Sequence, residues 1–389
     1  MACTFTGKKK AMQKKLGILG GGQLGRMLIQ SATDFNIQLG ILDSQAEAPA
    51  SSLAKHFVQG DLLDEETVYA FGQDYDLISI EIEKVNTSAL KRLEAEGKEV
   101  YPQAAIIELI QDKGKQKEFY RAQGFPTSDF LLLADKESLL KQTDFLPAVQ
   151  KLRRDGYDGK GVQVLRQATD LDKAFDAPSV LEKLVDIRQE IAVIVARSPS
   201  GEIQTYPAVE MIFHPEANLV EYLFSPARIE EKMAQKADQM AKDLIAKLGM
   251  VGLLAVEFFI DQTGNLLVNE IAPRPHNSGH QSIEGNICSQ FEQHLRAIYD
   301  WPLGDSRIQT PSIMLNLLGE EGFHGPAQLE GLEDILRLSG VHLHLYGKED
   351  CKPFRKMGHV TVTDHDLERL MEKARFVKNT FKIRGLDRI

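Results

Sequence analysis

Leu253-Leu254-Ala255-Val256-Glu257-Phe258-Phe259-Ile260 and Leu266-Leu267-Val268-Asn269-Glu270-Ile271 predict the two strands of a β-hairpin, joined by the turn Asp261-Gln262-Thr263-Gly264-Asn265. Glu257 and Glu270 are expected nearly opposite each other, although the pattern leaves the register open by a residue. Burial of two unpaired carboxylates is costly in free energy, and Mg²⁺ removes this cost because it takes one or two carboxylates together with phosphate oxygens. We predict a site for Mg²⁺, or Mn²⁺, at these acids, with Asn269 as a neutral ligand. The alternative is a pair of edge-strand acids facing water.

A polar loop follows the hairpin and reads Ala272-Pro273-Arg274-Pro275-His276-Asn277-Ser278-Gly279-His280. It combines a guanidinium, two imidazoles, an amide and a hydroxyl, and its prolines restrict the backbone. Such a loop beside a metal site is suited to hold an anion next to the terminal phosphate of a nucleotide. An isolated histidine is more often a core residue, but the whole cluster is not expected to be one.

A cationic loop between two strands is predicted earlier in the chain. A strand over residues 147–151 ends in Lys151, the loop reads Arg153-Arg154-Asp155-Gly156-Tyr157-Asp158-Gly159-Lys160-Gly161, and a second strand covers residues 162–166. The glycines allow the loop to lie over phosphates, and Lys151 and Lys160 supply positive charge. No Gly-Lys-Ser/Thr sequence opens a helix, so this is not a Walker A loop. The alternative is a plain hairpin turn.

Two further strands have the composition expected around a nucleoside. Residues 180–185 could present backbone groups to an adenine edge. Glu190, in the alternating strand over residues 189–193, could accept hydrogen bonds from ribose hydroxyls. By itself, Glu190 is more typical of a surface residue.

A glycine-rich turn follows the first predicted strand, Leu16–Leu19, and reads Gly20-Gly21-Gly22-Gln23-Leu24-Gly25. A helix over residues 26–32 and a strand over residues 37–42 come next, and Asp43 lies where a dinucleotide-binding fold has its ribose-binding acid. The pattern fits NAD, but glycines at a helix N-terminus can bind any phosphorylated ligand. A turn without a ligand is the third alternative.

Two acids, Glu81 and Glu83, follow a third strand over residues 76–80. Alternation puts them on one face at the carboxyl end of a parallel strand, where open α/β sheets bind ligands. They could accept hydrogen bonds from ribose hydroxyls. A solvated strand end beside Lys84 is the alternative.

The composition is that of a globular protein with two or three domains. The chain has 389 residues, of which 43% are hydrophobic and 26% are charged. Its net charge of -10 argues against nucleic-acid binding, and no apolar run is long enough to span a membrane. Cys3, Cys288 and Cys351 fit neither a zinc site nor a disulfide framework, so we expect buried thiols and a cytoplasmic location. The lysine-rich residues 1–15 are expected to form a flexible extension.

These segments together resemble the ATP-grasp superfamily and, within it, the N5-carboxyaminoimidazole ribonucleotide synthetases. The resemblance runs from Leu16 to about Thr363. It includes the segments named above together with Arg26-Met27, Val341-His342-Leu343-His344, Lys348 and Arg355-Lys356-Met357-Gly358-His359. It implies an α/β fold with a Rossmann-like pre-ATP-grasp domain over residues 16–112, an ATP-grasp domain over 113–307 with a lid at about 113–183, and a small C-terminal domain over 308–389 that completes the substrate site.

The resemblance implies a reaction in de novo purine synthesis. ATP and bicarbonate carboxylate 5-aminoimidazole ribonucleotide, through carboxyphosphate or the CO2 released from it, and the products are N5-carboxyaminoimidazole ribonucleotide, ADP and phosphate. A homodimer and hand-off of the product to a mutase are also implied. The rival within the same class is a formate-dependent glycinamide ribonucleotide transformylase. Outside it, a dehydrogenase leaves Lys151 and the hairpin acids unexplained, and an inactive regulatory module predicts the loss of a metal acid or a phosphate lysine.

Site residues follow from the resemblance and from the patterns above. Binding of ATP is assigned to Lys113, Lys151, Asp155, Gly156, Tyr157, Asp158, Gly159, Lys160, Gly161, Glu182, Lys183, Leu184, Val185, Glu190, Asn269 and Glu270, and binding of the metal to Glu257 and Glu270. Binding of the ribonucleotide is assigned to Gly22, Gln23, Leu24, Glu81 and Glu83. Arg274, His276, Lys348, Arg355 and Tyr157 are expected to complete the ribonucleotide and bicarbonate site.

The sequence departs from the family pattern at three places. Asp155 precedes Gly156 where a second glycine is usual, which adds negative charge beside the phosphates. Phe213 stands where relatives often have a histidine, with His214 one position later. Lys84 stands where a neutral residue is common.

Overall fold

The N-terminal part of the chain is a parallel sheet flanked by helices in the computed structural model, which describes residues 14–154, 156, 161–213 and 219–388. Its elements are β1 (Leu16–Leu19), α1 (Gln23–Asp34), β2 (Leu39–Asp43), β3 (His56–Gln59), α2 (Glu65–Gln73), β4 (Leu77–Ile80), α3 (Thr87–Ala95), β5 (Glu99–Val100) and α4 (Ala104–Ile110). The strands are parallel in the order β3-β2-β1-β4-β5. Every residue of β1 and β4 is buried, as expected for strands covered by helices on both faces. The predicted Rossmann-like unit is confirmed.

An antiparallel sheet with two helices follows. Its elements are α5 (Lys113–Gln123), β6 (Phe130–Leu133), α6 (Lys136–Leu140), β7 (Ala148–Leu152), β8 (Val162–Leu165) and β9 (Ser179–Lys183), and the strand order is β6-β9-β7-β8. The Asp112 carboxylate caps the first turn of α5, and Gly124 ends the helix in the left-handed conformation. These caps place Lys113 at the start of α5. β7 carries Lys151, and its neighbour β9 carries Glu182.

A large antiparallel sheet forms the middle of the molecule. Its first strands and their helices are β10 (Ile187–Arg197), β11 (Ile203–Thr205), β12 (Val209–Phe213), β13 (Val220–Ser225), α7 (Glu231–Leu248), β14 (Gly252–Asp261), β15 (Leu266–Ala272), α8 (Ser282–Gly285) and α9 (Gln290–Ile298). β14 and β15 are the predicted hairpin, and the apolar side of α7 packs on β10 and β14 in the main core. Among the helices of the described ranges, none combines the length and the apolar character needed to cross a membrane.

The C-terminal part continues the same sheet. Its elements are β16 (Ser312–Leu318), β17 (Phe323–Glu330), α10 (Leu332–Leu336), β18 (Val341–Leu345), β19 (Asp350–Cys351), β20 (Lys356–Thr363), α11 (Leu367–Thr380) and β21 (Lys382–Arg388). The large sheet has the order β15-β14-β10-β12-β13-β16-β20-β18, and β17, β19 and β21 form a small sheet of their own. The boundary expected between residues 307 and 308 therefore lies within one continuous sheet.

The residues just before β1 contact the folded chain. The Lys14 ammonium lies 2.6 Å from a Glu99 carboxylate oxygen, and the Lys14 carbonyl accepts a hydrogen bond from the Tyr299 hydroxyl at 3.0 Å. The Lys15 N–H donates to the Asp76 carboxylate at 2.9 Å. Lys14 and Lys15, which the sequence analysis assigned to a flexible extension, are thus anchored, and residues 1–13 lie outside the described part of the chain.

The two described cysteines are core residues. Cys288 and Cys351 are buried free thiols, and Cys3 lies outside the described residues. Burial raises the pKa of Cys288 to about 12, so little thiolate forms near neutral pH. This agrees with the expectation of structural thiols.

Candidate active site

The hairpin acids Glu257 and Glu270 are register partners in β14 and β15. Beside this pair the register shifts, so that Phe258 pairs with Val268 and Asn269 is an extra residue in β15. In a regular strand, neighbouring side chains point to opposite faces. The bulge allows Asn269 and Glu270 to line the same cavity although they are adjacent in sequence. The predicted opposition of the two acids is found, with a bulge that the sequence pattern did not reveal.

Glu257 lies among other carboxylates. Burial raises the pKa of Glu257 to about 7, with further contributions from Glu270 and Glu190. Burial likewise raises the pKa of Glu190 to about 7, against the opposing charge of Lys151. The protein's own cations therefore leave these two acids incompletely neutralised, and a bound cation would favour their ionised forms.

Lys113 neutralises Glu270. Its Nζ lies 2.6 Å from Glu270 Oε1. Burial opposes ionisation of Glu270, but Lys113 and Lys151 keep its pKa below the usual value. The pair lines a small cavity together with Lys151, Glu182 and Asn269. The structure thus brings five of the residues predicted to bind ATP around one cavity.

Glu182 lies buried between two lysines. Its carboxylate oxygens are 2.8 Å from Lys117 Nζ and 3.0 Å from Lys151 Nζ. Burial opposes ionisation, but the two lysines lower the pKa of Glu182 to about 2. Lys151 also donates to the Asn269 side-chain oxygen at 3.0 Å. Glu182 therefore links β9 to the lysine that faces the hairpin.

Lys117 is a site residue that the sequence analysis missed. It is 3% exposed, and its Nζ donates to Thr127 Oγ1 at 2.6 Å and Ser128 Oγ at 3.0 Å in addition to its contact with Glu182. Burial lowers the pKa of Lys117 to about 8, and Glu182 opposes this change. Lys117 lies four residues after Lys113 on α5, and this spacing puts both ammonium groups on one helix face. This four-residue spacing is the sequence signal from which Lys117 could have been predicted.

The residues that follow Glu182 point elsewhere or lie at the edge of the site. The Lys183 ammonium donates to the backbone oxygens of Phe145 and Leu146 at 3.1 and 3.3 Å. Leu184 and Val185 are half-buried just after β9. The Lys183 side chain is therefore occupied away from the hairpin, and its backbone N–H donates to the Asp129 carbonyl at 2.8 Å.

His276 approaches the hairpin from the polar loop. Its Nε2 lies 3.7 Å from Glu257 Oε1. Its Nδ1 lies 2.9 Å from Ser278 Oγ and 3.3 Å from the Ser278 backbone nitrogen, so the tautomer in which Nδ1 accepts both hydrogens is the one that carries its own hydrogen on Nε2, facing Glu257. Burial lowers the pKa of His276 well below its usual value, and Arg274 and Lys356 add to this effect. The ring is therefore neutral near pH 7.

Carboxylates of the protein itself occupy the glycine-rich turn. Gly22 and Gly25 each donate an N–H to Glu81 at 2.9 Å, and Gly21 donates to Asp43 at 2.6 Å. The sequence pattern predicts that these amides face a phosphate and that Asp43 resembles a ribose-binding acid. In the structure both sets of groups are used internally, so an external phosphate would first have to displace Glu81.

The contact of Glu81 with the glycine-rich turn also corrects the predicted start of α1 and the predicted end of β4. Because Glu81 accepts from the first turn of α1, the helix begins at Gln23 rather than at Arg26. Because β4 ends at Ile80, strand alternation does not extend to the two acids that follow it. Glu81 faces the glycine turn, whereas Glu83 lies 2.9 Å from Arg274 Nε.

Glu81→Ala is expected to lower the free energy of unfolding by about 2–3 kcal/mol, because two backbone N–H groups lose a charged acceptor. Urea denaturation followed by circular dichroism measures the change. Glu47→Ala, at an exposed acid of the same domain, is the control and should change the value by less than about 0.5 kcal/mol. Equal effects of the two substitutions would contradict the role of Glu81 in holding the glycine turn.

Two cations from the C-terminal part were also predicted in the site. Lys348 Nζ donates to Gln23 Oε1 at 3.1 Å and to the Lys356 carbonyl at 2.6 Å, which joins the C-terminal part to the glycine turn. Arg355 donates to the carbonyl of Asp350 at 2.6 Å, within its own segment. Among the predicted site residues that the structure describes, Lys348 therefore contacts another one, Gln23, whereas Arg355 does not.

Some predicted residues lie outside the described part of the chain. These are Asp155, Tyr157, Asp158, Gly159, Lys160 and His214. Gly156 and Gly161 are described, and Gly161 has a φ of +76°, which favours glycine at the foot of β8. Phe213 is the last residue of β12. Leu24, predicted to contact the ribonucleotide, is buried in the core beside β1.

Three family models match successive parts of the chain. Residues 12–111 match the ribonucleotide synthetase preATP-grasp domain, residues 118–291 match the ATP-grasp domain, and residues 312–373 match the phosphoribosylaminoimidazole carboxylase C-terminal domain. The order of these matches follows the parallel sheet, the β6–β9 sheet with the β14–β15 hairpin, and the C-terminal strands.

Full-length relatives decide the family. The N5-carboxyaminoimidazole ribonucleotide synthase of Synechococcus elongatus is 39% identical over 355 residues, which cover 89% of this chain and 89% of that protein. The chain belongs to the N5-carboxyaminoimidazole ribonucleotide synthase family. A longer relative, the chloroplastic phosphoribosylaminoimidazole carboxylase of Vigna aconitifolia, is 36% identical over 366 residues, and the match spans 91% of this chain and 65% of that protein.

Solved structures of the synthase family have the same fold. The N5-carboxyaminoimidazole ribonucleotide synthetase of Thermotoga maritima matches with a TM-score of 0.89 and 41% identity, covering 96% of this chain and 99% of that one. The Aspergillus clavatus N5-carboxyaminoimidazole synthase in complex with ADP and 5-aminoimidazole ribonucleotide matches with a TM-score of 0.87 and 33% identity, covering 95% and 98%. As a member of this synthase family, the protein is an ATP-grasp ligase, and the NAD-dependent dehydrogenase alternative is discarded.

Proposed function

We propose that the protein uses ATP to carboxylate the exocyclic amine of 5-aminoimidazole ribonucleotide with bicarbonate, and releases N5-carboxyaminoimidazole ribonucleotide, ADP and phosphate. The observation that carries this proposal is the register pair Glu257–Glu270, with Lys113 and Lys151 converging on it, in a chain of the synthase family. Such a centre supplies the charges that phosphoryl transfer needs, because that reaction depends on positioning and charge neutralisation.

We propose that Glu257 and Glu270 hold Mg²⁺, with Mn²⁺ as a substitute, and that Asn269 contributes a neutral oxygen. The donor set fits a hard cation that retains phosphate and water oxygens. The raised pKa of Glu257, caused by burial and by Glu270, supports a site that favours an added cation. A bound divalent ion would neutralise charge on the phosphates and orient them. Lys113, now paired with Glu270, would then be released toward the phosphates.

The remaining nucleotide contacts are proposed from position. Lys151 would contact phosphates beside Asn269, residues 155–161 would cover them, and the backbone of residues 182–185 would hold the adenine. Glu190 would accept from the ribose hydroxyls. The proximity of its charge to Lys151 and Glu257 supports this assignment, since it places the acid beside the same cavity.

The ribonucleotide and bicarbonate are proposed to bind between the glycine turn, the polar loop and the C-terminal strands. Two contacts between distant parts of the sequence support this site, Arg274 with Glu83 at 2.9 Å and Lys348 with Gln23 at 3.1 Å. The ribonucleotide would contact Gly22, Gln23, Glu81 and Glu83, and it would reach Leu24 only at the backbone, because that side chain is buried in the core. Bicarbonate would lie near Arg274 and His276, and Lys348, Arg355 and Tyr157 would complete the site.

The proposed chemistry balances in two steps. A bicarbonate oxygen attacks the terminal phosphorus of ATP, and the bond to the bridging oxygen breaks to release ADP. The amine then attacks the carboxyl carbon of carboxyphosphate, phosphate leaves, and the amine loses a proton. Since His276 is neutral, its Nε2–H tautomer would offer the substrate a hydrogen bond rather than a positive charge. Closure of the cavity would protect carboxyphosphate from water.

The proposed function is tested by measuring ADP release with ATP, 5-aminoimidazole ribonucleotide and bicarbonate present and with each omitted in turn. Release is expected only with the complete mixture, and mass spectrometry should detect the carboxylated ribonucleotide. Formate with glycinamide ribonucleotide serves as the control for the rival transformylase. ATP hydrolysis that is indifferent to the ribonucleotide would overturn the assignment. A homodimer, a cytoplasmic location and product transfer to a mutase belong to the same proposal, and light scattering tests the dimer.

Metal affinity is expected to rise with pH. Because Glu257 has a pKa of about 7, metal binding below that pH must release a proton, and Mn²⁺ affinity in the presence of ADP should increase about tenfold between pH 6 and pH 8. Electron paramagnetic resonance of free Mn²⁺ measures this affinity. Glu257→Gln should bind weakly at both pH values. Equal affinity of the unmodified protein at pH 6 and pH 8 would contradict the assignment of Glu257 as a ligand.

The contribution of Glu257 to the stability of the metal-free protein should fall with rising pH, whereas metal affinity rises. The usual pKa of glutamate is 4.5, so folded Glu257 retains its proton to a higher pH than the unfolded chain does. The metal-free protein should therefore lose stability from this group as the pH rises from about 4.5 to about 7. Saturating metal should reduce that loss.

A further inference from the structure

Gln290 holds both backbone polar groups of His276. It is the first residue of α9 and is fully buried. Its Oε1 accepts from the His276 N–H at 2.8 Å, and its Nε2 donates to the His276 carbonyl at 2.8 Å. The second hydrogen on Nε2 faces His280 Nδ1 at 3.0 Å. The carboxamide thus acts on His276 as a neighbouring strand would, in a loop that the prolines exclude from regular pairing.

The backbone of Gln290 is also held by a hydrogen bond. The Gln290 N–H donates to Ser282 Oγ at 2.8 Å, and Ser282 Oγ donates to the Gly279 carbonyl. A β-carbon at Gly279 would lie 2.4 Å from Gln290 Oε1, so a larger residue there would displace the carboxamide. The polar loop is therefore held at His276 by the Gln290 carboxamide, and at Gly279 by Ser282, whose hydroxyl accepts from the Gln290 N–H.

α9 also packs against β14, a strand of the hairpin that carries the proposed metal ligands. Its residues Phe291, Leu295 and Ile298 are buried in the core with β1 and α1. Since β14 carries Glu257, the position of His276 relative to Glu257 depends on the helix that presents Gln290. In this arrangement His276 Nε2 lies 3.7 Å from Glu257 Oε1.

We propose that Gln290 is a positioning residue for the bicarbonate site: its carboxamide sets the backbone of His276 and so the direction of the imidazole. This inference rests on the proposed function for its kinetic consequence, but the clamp itself is a property of the fold. Misplacement of a group by about 1 Å can lower a rate about a hundredfold, so loss of the carboxamide is expected to affect catalysis beyond its effect on stability.

Gln293 provides a matched control on the same helix. It is also fully buried, and its carboxamide makes the same pair of contacts with Gly304, accepting from the N–H at 2.7 Å and donating to the carbonyl at 3.0 Å. Gln290→Met and Gln293→Met each remove one buried carboxamide clamp and keep the length of the side chain. Only the first releases His276.

The test compares kinetics and amide hydrogen exchange of the two variants in the full-length protein. Gln290→Met should lower kcat/KM for bicarbonate about 10- to 100-fold and leave KM for ATP within about twofold. Gln293→Met should leave both within about threefold. The His276 amide should exchange at least about tenfold faster in Gln290→Met only, since only that variant removes its acceptor.

Two results would overturn the inference: equal kinetic losses in the two variants at equal melting temperature, or unchanged exchange of the His276 amide in Gln290→Met. If the unmodified protein carboxylates no ribonucleotide, the proposed function fails, and the exchange comparison still decides whether Gln290 holds His276.

Discussion

Glu270→Gln is expected to lower kcat for phosphate release by about a thousandfold or more. The substitution keeps the size of the side chain but removes the charge that is proposed to bind the metal and that pairs with Lys113 at 2.6 Å. Charge-stabilising groups in phosphoryl transfer contribute effects of about 10³ or more. Steady-state phosphate release with ATP, bicarbonate and 5-aminoimidazole ribonucleotide measures the loss, and calorimetry with MgADP reports the weakened metal site.

Glu231→Gln is the control, since Glu231 is an exposed acid at the start of α7 and should leave kcat within about twofold. Loss of the Glu270 charge should also lower the pKa of Glu257, because Glu270 is one of the groups that raise it. Infrared titration of the carboxyl band in the metal-free variant measures that pKa. Near-normal turnover of Glu270→Gln would remove the proposed metal centre.

Glu182→Ala is expected to lower the free energy of unfolding by about 3–5 kcal/mol. It leaves the ammonium groups of Lys117 and Lys151 buried without their shared carboxylate, and uncompensated buried charges of this kind have effects of that size. Guanidinium denaturation at pH 7 measures the change. Since the pKa of Glu182 is lowered to about 2, the stability it supplies should be complete above about pH 4.5 and should decline as the pH falls toward 2.

Adding Lys117→Met to Glu182→Ala tests whether the lost stability comes from unpaired charge or from lost packing. In Lys117→Met with Glu182→Ala, one of the two unpaired ammonium groups is gone, and Lys151 still has Glu270 and Glu257 nearby. The double variant should therefore be more stable than Glu182→Ala alone by about 1–2 kcal/mol. Strictly additive losses would show that Lys117 and Glu182 do not depend on each other.

The hairpin and its acids could be predicted because burial of charged residues within apolar strands is a local signal. Glu257 and Glu270 each interrupt an apolar run, and their opposition follows from a short turn between two strands of similar length. Lys151 could be placed because it ends a predicted strand just before a glycine-rich loop. The glycine turn after β1 was predicted as a structure as well, and β1, α1 and β2 follow it in the expected order.

The contacts that could not be predicted join residues far apart in the sequence. Glu81 lies 59 residues from Gly22, and its carboxylate fills the helix end that the glycine pattern offers to a phosphate. Gln290 lies 14 residues from His276 and carries no charge, so nothing in its sequence environment marks it. The bulge at Asn269 depends on pairing geometry, which strand periodicity does not determine.

The continuity of the large sheet limits how the protein can be divided. A fragment that stops at residue 307 would lack β16, and the unpaired edge of β13 would then offer its free N–H and C=O groups to any other extended chain. A fragment that starts at residue 308 would lose the partner of β16 in the same way. Independent expression of the two halves should therefore give aggregates, and mixing them should give poor recovery of ligase activity.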